Sequence, residues 1–158
     1  MQICIFDIMF TKDEKKGLRL RFWGAFKKMS AERRLREGRP KEWILKRTGI
    51  KGLSLRFDMD REHAAVGFEL WRKDKFEEAL LFERLESLRT IMESILGEGI
   101  IWDEEFITPE GRQCSRIYQK LDGVDMYKTQ DWPVIQDFFY SKMTGFETIF
   151  LEYKDILD

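Results

Sequence analysis

Residues 53 to 71 constrain the fold more than any other stretch of this chain. In Leu53 to Asp60, Leu53, Leu55, Phe57 and Met59 alternate with Ser54, Arg56, Asp58 and Asp60; in Ala64 to Trp71, Val66, Phe68 and Leu70 form a second apolar row. A period of two means a strand with one buried face. Only the short Arg61-Glu62-His63 link separates the two runs, so they predict an antiparallel hairpin. One register puts both apolar rows on the same side: Phe57 opposite Val66, Leu55 opposite Phe68 and Leu53 opposite Leu70. A slip of one residue would turn the charged row into the core.

The rest of the chain must cover that apolar face. With 158 residues, 43% of them hydrophobic and 13 of them Phe, it is long enough for one domain with an aromatic-rich core. Thr11-Lys12-Asp13-Glu14 is a capping box, and a helix should follow to about Met29, with Leu18, Phe22, Phe26 and Met29 on its buried stripe and Lys27 among its other faces. Ser30 to Lys41, interrupted by Gly38 and Pro40, reads as a loop or frayed helical extension exposing Arg33, Arg34, Arg36 and Arg39. Trp43 to Lys46 reads as a short strand. Asp74 caps a long helix to about Leu96, ended by Gly97. Ile100 to Phe106 and Cys114 to Leu121 form a second hairpin through Thr108-Pro109-Glu110-Gly111, and Asp131 caps a last helix entered at Trp132-Pro133. The expected fold is α+β: an antiparallel sheet of about five strands in the order α-β-β-β-α-β-β-α, with helices packed on one face. Residues 1–10 are an N-terminal extension or edge strand and 11–158 a single α+β domain. Met1 to Phe10 is too short to span a bilayer and carries Asp7, which excludes a signal or anchor.

Charge is divided along the chain. Lys12 to Arg56 carries 16 Lys and Arg against 5 Asp and Glu, whereas the residues after Arg56 carry 12 against 23. The cations concentrate at Arg33, Arg34, Arg36, Arg39, Lys41, Lys46, Arg47 and Lys51. Guanidiniums on a mobile loop pair with phosphates, and Trp43 could add a stacking surface, which makes this tract the candidate nucleic-acid or phosphate site. The alternative is internal pairing with the acidic remainder of the chain, or pairing across a symmetric dimer.

Other chemistry is thin. Asp58, Asp60, Glu69 and Lys73 supply the ingredients of a metal-dependent nuclease core. The hairpin register, however, sets Glu69 opposite Ser54 and so roughly 13 Å from Asp58, too far to share one ion. Glu69 pairing diagonally with Arg56 on the outer sheet face is the simpler expectation. His63, the single histidine, sits in the hairpin turn. Gly49-Ile50-Lys51-Gly52 matches the G-x-x-G of the KH module, but a strand rather than a helix follows it, so a tight turn explains it. No nucleophile elbow, P-loop or dinucleotide fingerprint occurs. Cys4 and Cys114 have no metal-ligand spacing and read as inert thiols in a reducing cytoplasm. No cofactor and no metal is expected.

Several pieces, taken in order, resemble the bacterial family called domain of unknown function 4268. They are Phe22-Trp23-x-x-Phe26, Lys46-Arg47-Thr48-Gly49-Ile50-Lys51, Phe57-Asp58-Met59-Asp60, Glu69-Leu70 with Lys73-Asp74, Leu96-Gly97-Glu98 with Trp102, Ser115-Arg116-Ile117-Tyr118, and Asp131-Trp132-Pro133 with Ile135 and Phe138. The resemblance implies a small bacterial α+β domain, known alone and as a C-terminal partner of nuclease-like regions, and brings no established activity or catalytic residue. It places the usual start of members near Met9, which makes residues 1 to 8 an extension. Where relatives often carry Lys-Pro-Arg after the paired Phe, this chain has Tyr140-Ser141-Lys142-Met143. The functional expectation is a non-enzymatic accessory or interaction module of the bacterial cytoplasm, with a protein partner or a second copy of itself and no membrane. The alternatives are a nucleic-acid-binding module using residues 33–51 and a metal-dependent nuclease-like enzyme.

Overall fold

The computed structural model describes residues 10–158, so the N-terminal extension, with Cys4, lies outside the described residues. The element order is α1 (Lys12–Arg36), β1 (Leu53–Met59), β2 (His63–Leu70), α2 (Lys75–Glu86), α3 (Arg89–Leu96), β3 (Ile101–Ile107), β4 (Gln113–Asp122), a 3-10 turn (Thr129–Asp131) and α4 (Trp132–Leu157). Both predicted hairpins are present, and β2 pairs with β4 to join them into one antiparallel sheet of order β1-β2-β4-β3.

The register of β1 and β2 is the one the apolar rows demand, with Leu53 facing Leu70, Leu55 facing Phe68 and Phe57 facing Val66. The rows carry through to Ile117 on β4, opposite Phe68. Helix α4 lies across this face of the sheet and also touches α1, α2 and α3. Phe139 of α4 packs on Phe57 with ring centroids 4.9 Å apart, and Phe146 meets Phe68 edge-on at 5.3 Å. Phe22, Phe26 and Trp23 of α1 extend the same aromatic cluster onto Phe139. Ring pairs in these tilted and edge-to-face geometries add to the hydrophobic gain of burying them. At Gly67 the backbones of β2 and β4 come so close that a Cβ would sit 2.2 Å from the carbonyl oxygen of Ile117, so the sheet needs a glycine there.

Four of the sequence expectations are corrected. The sheet has four strands, not five: Leu45 sits at φ 47°, which breaks the extended run expected over Trp43 to Lys46, and a single bond from the Leu55 amide to the Leu45 carbonyl (3.0 Å) replaces a ladder. Helix α1 continues past Met29 to Arg36 and ends at Gly38, φ 75°. The long helix after Asp74 is two helices. Ser87 turns its hydroxyl back to the Arg84 carbonyl (2.6 Å), and Leu88, with φ −96° and ψ 9°, leaves the helical path to bury its side chain. Asp131 does not cap α4; its Oδ2 accepts from the Asp125 amide (2.9 Å), and a 3-10 turn leads into the helix. The caps at Thr11 and Asp74 do form: the Thr11 hydroxyl accepts from the Glu14 amide, and the Asp74 carboxylate from those of Phe76 and Glu77.

Candidate ligand-binding groove

The segment between α1 and β1 has little regular structure, so something other than a backbone ladder must hold it. That anchor is an ion pair buried under it. Arg34, on the last turn of α1, and Glu147, in the middle of α4, are 2% and 1% exposed and meet at 2.7 Å. Arg34 also donates from Nε to the Pro40 carbonyl (2.7 Å) and from Nη2 to the Glu42 carbonyl (3.2 Å). The second oxygen of Glu147 accepts from the Ile44 amide at 2.7 Å. Every charged atom of the pair therefore has a partner, as buried charges require, and those partners are the backbone of residues 40 to 44. Trp43 locks the same segment to α1: its indole donates to Ser30 Oγ (3.2 Å), and its ring takes the Arg34 guanidinium at 4.1 Å and lies nearly parallel to Phe26.

Held in this way, the segment forms one side of an open groove of about 730 Å³ whose other parts are α1 and β1. Trp23, Phe26, Trp43 and Phe57 supply aromatic lining, and Lys27, Lys41, Lys46 and Arg47 supply cations against one carboxylate, Glu42; Arg56 also borders the groove, with its guanidinium paired to Asp58 and Glu69. The Glu42 carboxylate pairs with Arg47 (3.8 Å). Trp23 and Phe57 are half-buried, whereas Phe26 and Trp43 are buried. Lys41 and Lys46 are exposed and, like Lys27, have no carboxylate partner among the described residues. Leu45, which lines the groove, is the one described non-glycine residue with positive φ. Such strain costs of order 1 kcal/mol and persists where flanking bonds over-determine the backbone, as the Glu147–Ile44 and Leu45–Leu55 bonds do here.

The opposite face of the sheet carries the other concentration of charge. Arg116 of β4 pairs with both Glu69 and Asp58 (2.9 Å each), and Arg56 reaches Asp58 at 3.3 Å and Glu69 at 3.4 Å. Arg112 adds a contact to Glu69 at 3.5 Å. Burial pushes the Glu69 carboxyl up, but hydrogen bonds from Arg116 and the charges of Arg56, Arg116 and Arg112 outweigh it and hold the group below the usual carboxylate range. The diagonal Arg56–Glu69 contact expected from the register is present. Arginine thus occupies both carboxylates that a nuclease core would need. Cys114 is buried beside Glu69, and burial first, then the Glu69 charge, push its thiol up, away from reactivity. No group of three or more His, Cys, Asp or Glu side chains among the described residues is placed to hold a metal ion, and no described helix is long and apolar enough to cross a membrane.

Residues 18–154 match a family described as a domain of unknown function (DUF4268). The chain belongs to this family. The matched span takes in every residue of the groove and of the Arg34–Glu147 pair, so both lie inside the DUF4268 unit. Searches of curated proteins and of solved structures each found no match.

Within this DUF4268 domain the basic tract separates into four groups. Lys41, Trp43, Lys46 and Arg47 line the groove. Arg34 is sealed inside the fold, and Trp43, 8% exposed, has its ring committed to Phe26 and Arg34 instead of standing free for a ligand. Arg33 lies over the Tyr140 ring at 4.0 Å near Glu37 and Asp137, and Arg39 donates to Thr148, so both belong to the α1–α4 contact. Arg36 and Lys51 are exposed outside the groove. Sequence reasoning missed Trp23, Phe26, Lys27, Arg56 and Phe57 as groove residues. One signal was available for Trp23 and Lys27, since four residues apart on a helix places two side chains on one face. The contribution of β1 needed the tertiary fold. His63 sits at the start of β2 with Nδ1 3.2 Å from Asp60, and the G-x-x-G run is a turn, Gly49 at φ 73° and Gly52 at φ 79°.

Proposed function

We propose that this domain is a non-enzymatic accessory module and that it docks an anionic partner in the groove between α1, residues 41–47 and β1. The observation that carries the reading is that one groove holds Lys27, Lys41 and Lys46, none with a carboxylate partner among the described residues, beside half-buried aromatic rings. Cations without partners repel one another, and an anion with an apolar body would relieve that repulsion while covering the rings. The groove volume of about 730 Å³ falls within the range of ordinary ligand sites. The non-enzymatic part of the reading is supported by Asp58 and Glu69 being spent on arginine and by Cys114 being buried with a raised pKa.

An aromatic sulfonate dye is a suitable probe because it combines an apolar ring system with a fixed negative charge. Titrated into the folded domain, it is expected to bind saturably, more weakly as salt rises, and more weakly again in the double variant Lys41→Gln/Lys46→Gln. Both lysines are exposed, so the variant should keep the fold. Dye binding with the same affinity in the variant would count against the groove as the docking element.

A further inference from the structure

Resting on that groove reading, we infer that its occupant is a single-stranded nucleic-acid segment, with bases against Trp23 and Phe57 and phosphates along Lys27, Lys41 and Lys46. Lys27 comes from α1, and Lys41, Lys46 and Arg47 come from the segment beside it. A compact anion calls for donors that converge on one point, and the hydroxyl in the lining, Ser30, is already occupied by the Trp43 indole and the Lys27 carbonyl. Several cations drawn from two elements of one open groove suit a ligand that repeats its charge. The lining between them is aromatic, so the repeat should also present flat apolar surface.

A single strand has both properties: a phosphate at each step and a base whose face stacks on any ring. A duplex shares the phosphates but keeps its bases inside, out of reach of a groove floor. An acidic peptide carries repeated charge without a planar group at each step. Trp23 supplies a preorganised platform, because its ring is backed by Phe139 in a near-parallel contact, 7° between planes, and remains half-buried on the groove side of the packing. Lysine suits the task, since an ammonium on a flexible stem acts as a point charge that follows a phosphate whatever the base. The arginines nearby are held in contacts of their own, Arg34 under the segment, Arg47 on the Trp43 carbonyl and Glu42, and Arg56 on Asp58 and Glu69.

The test is fluorescence anisotropy of labelled strands of about fifteen nucleotides, which covers the site sizes of such surfaces. Thymidine and uridine homopolymers, the same length of duplex, an abasic strand and poly-glutamate are compared with the wild-type chain and with Lys41→Gln/Lys46→Gln. Single strands should bind, and the two homopolymers show whether DNA or RNA is preferred. The logarithmic salt slope should fall by roughly 1.4 in the double variant, two phosphate contacts at about 0.7 each. The abasic strand should bind about tenfold more weakly or worse, because it keeps the charge and loses the stacking. Equal affinity for the abasic strand or poly-glutamate, or tighter binding of duplex, overturns the nucleic-acid inference and leaves the groove standing as an anion site. Strand binding with an unchanged slope in the double variant overturns the groove reading itself. The abasic comparison needs no mutation in the packed aromatic cluster, so misfolding cannot imitate either result.

Discussion

The two places where this fold gathers arginine are built on opposite plans. Under residues 40–44 one arginine and one glutamate, both almost wholly buried, spend their remaining hydrogen bonds on backbone: the carbonyls of Pro40 and Glu42 and the amide of Ile44. On the back of the sheet Arg56, Arg112 and Arg116 share Asp58 and Glu69, side chain to side chain, with Arg56 and Arg112 about half exposed. A pair that grips backbone positions a segment and cannot be replaced from the side. A network with more donors than acceptors only neutralises charge and tolerates the loss of a member. The difference explains how a segment without secondary structure can hold one side of a shaped groove against α1 and β1.

Breaking the buried pair should have the largest effect. Glu147→Gln leaves the Arg34 guanidinium buried without its counter-charge, and a loss of about 3–5 kcal/mol is expected, read as a shift in the urea midpoint. Replacing both partners, Arg34→Met with Glu147→Met, should cost less stability than Glu147→Gln and yet weaken ligand binding, since the backbone of residues 40–44 loses its anchor. A loss below about 1 kcal/mol for the single variant would put the two regions on a par and remove the distinction.

The network should respond next, and with a pH signature. Glu69→Gln is expected to cost about 2 kcal/mol at neutral pH, since Glu69 is 7% exposed and accepts from several arginines. The folded-state pKa of Glu69 is depressed, so its stabilising contribution is complete above the ordinary carboxylate range and is lost as pH falls through the folded value. The gap in stability between wild type and variant should therefore shrink on acidification; a gap that widens would contradict the assigned direction. The smallest effect belongs to Arg112→Ala: a contact at 3.5 Å from a half-exposed side chain should be worth less than about 1 kcal/mol, because Arg116 and Arg56 still cover Glu69.

Much of the fold was legible because it is encoded locally. The alternation in 53–60 and 64–71 specifies a register by itself, since only one pairing hides both apolar rows, and the caps at Thr11 and Asp74 are read from neighbouring residues. Some failures were local, such as the helix break at Ser87 and the Asp131 carboxylate turned to the Asp125 amide, and the others depended on distant partners. Nothing near Arg34 tells that Glu147, more than a hundred residues on, will draw it inward, and without that partner the helix past Met29 looks like a charged, fraying end. The same absence turned Trp43 into a stacking candidate, although its ring is taken by Phe26 and Arg34. The basic tract was visible as composition, but composition counts charges without showing which are spent: Arg33, Arg34 and Arg39 are engaged with α4 or the backbone, while Lys41 and Lys46 are not. The aromatic side of the groove came from β1 and the far end of the Trp23 turn, which only packing brings together.

The groove is the proposed working surface, and the back-face network is proposed to be structural. Backbone and indole nitrogen–proton correlation spectra recorded while a thymidine single strand is added compare the two directly. The predicted result is shift changes centred on the Trp23 indole and the amides of Ile44, Leu45 and Phe57, with the Trp71 indole and the amides of Arg112 and Arg116 unmoved. Shift changes centred on Trp71, Arg112 and Arg116 instead would contradict it.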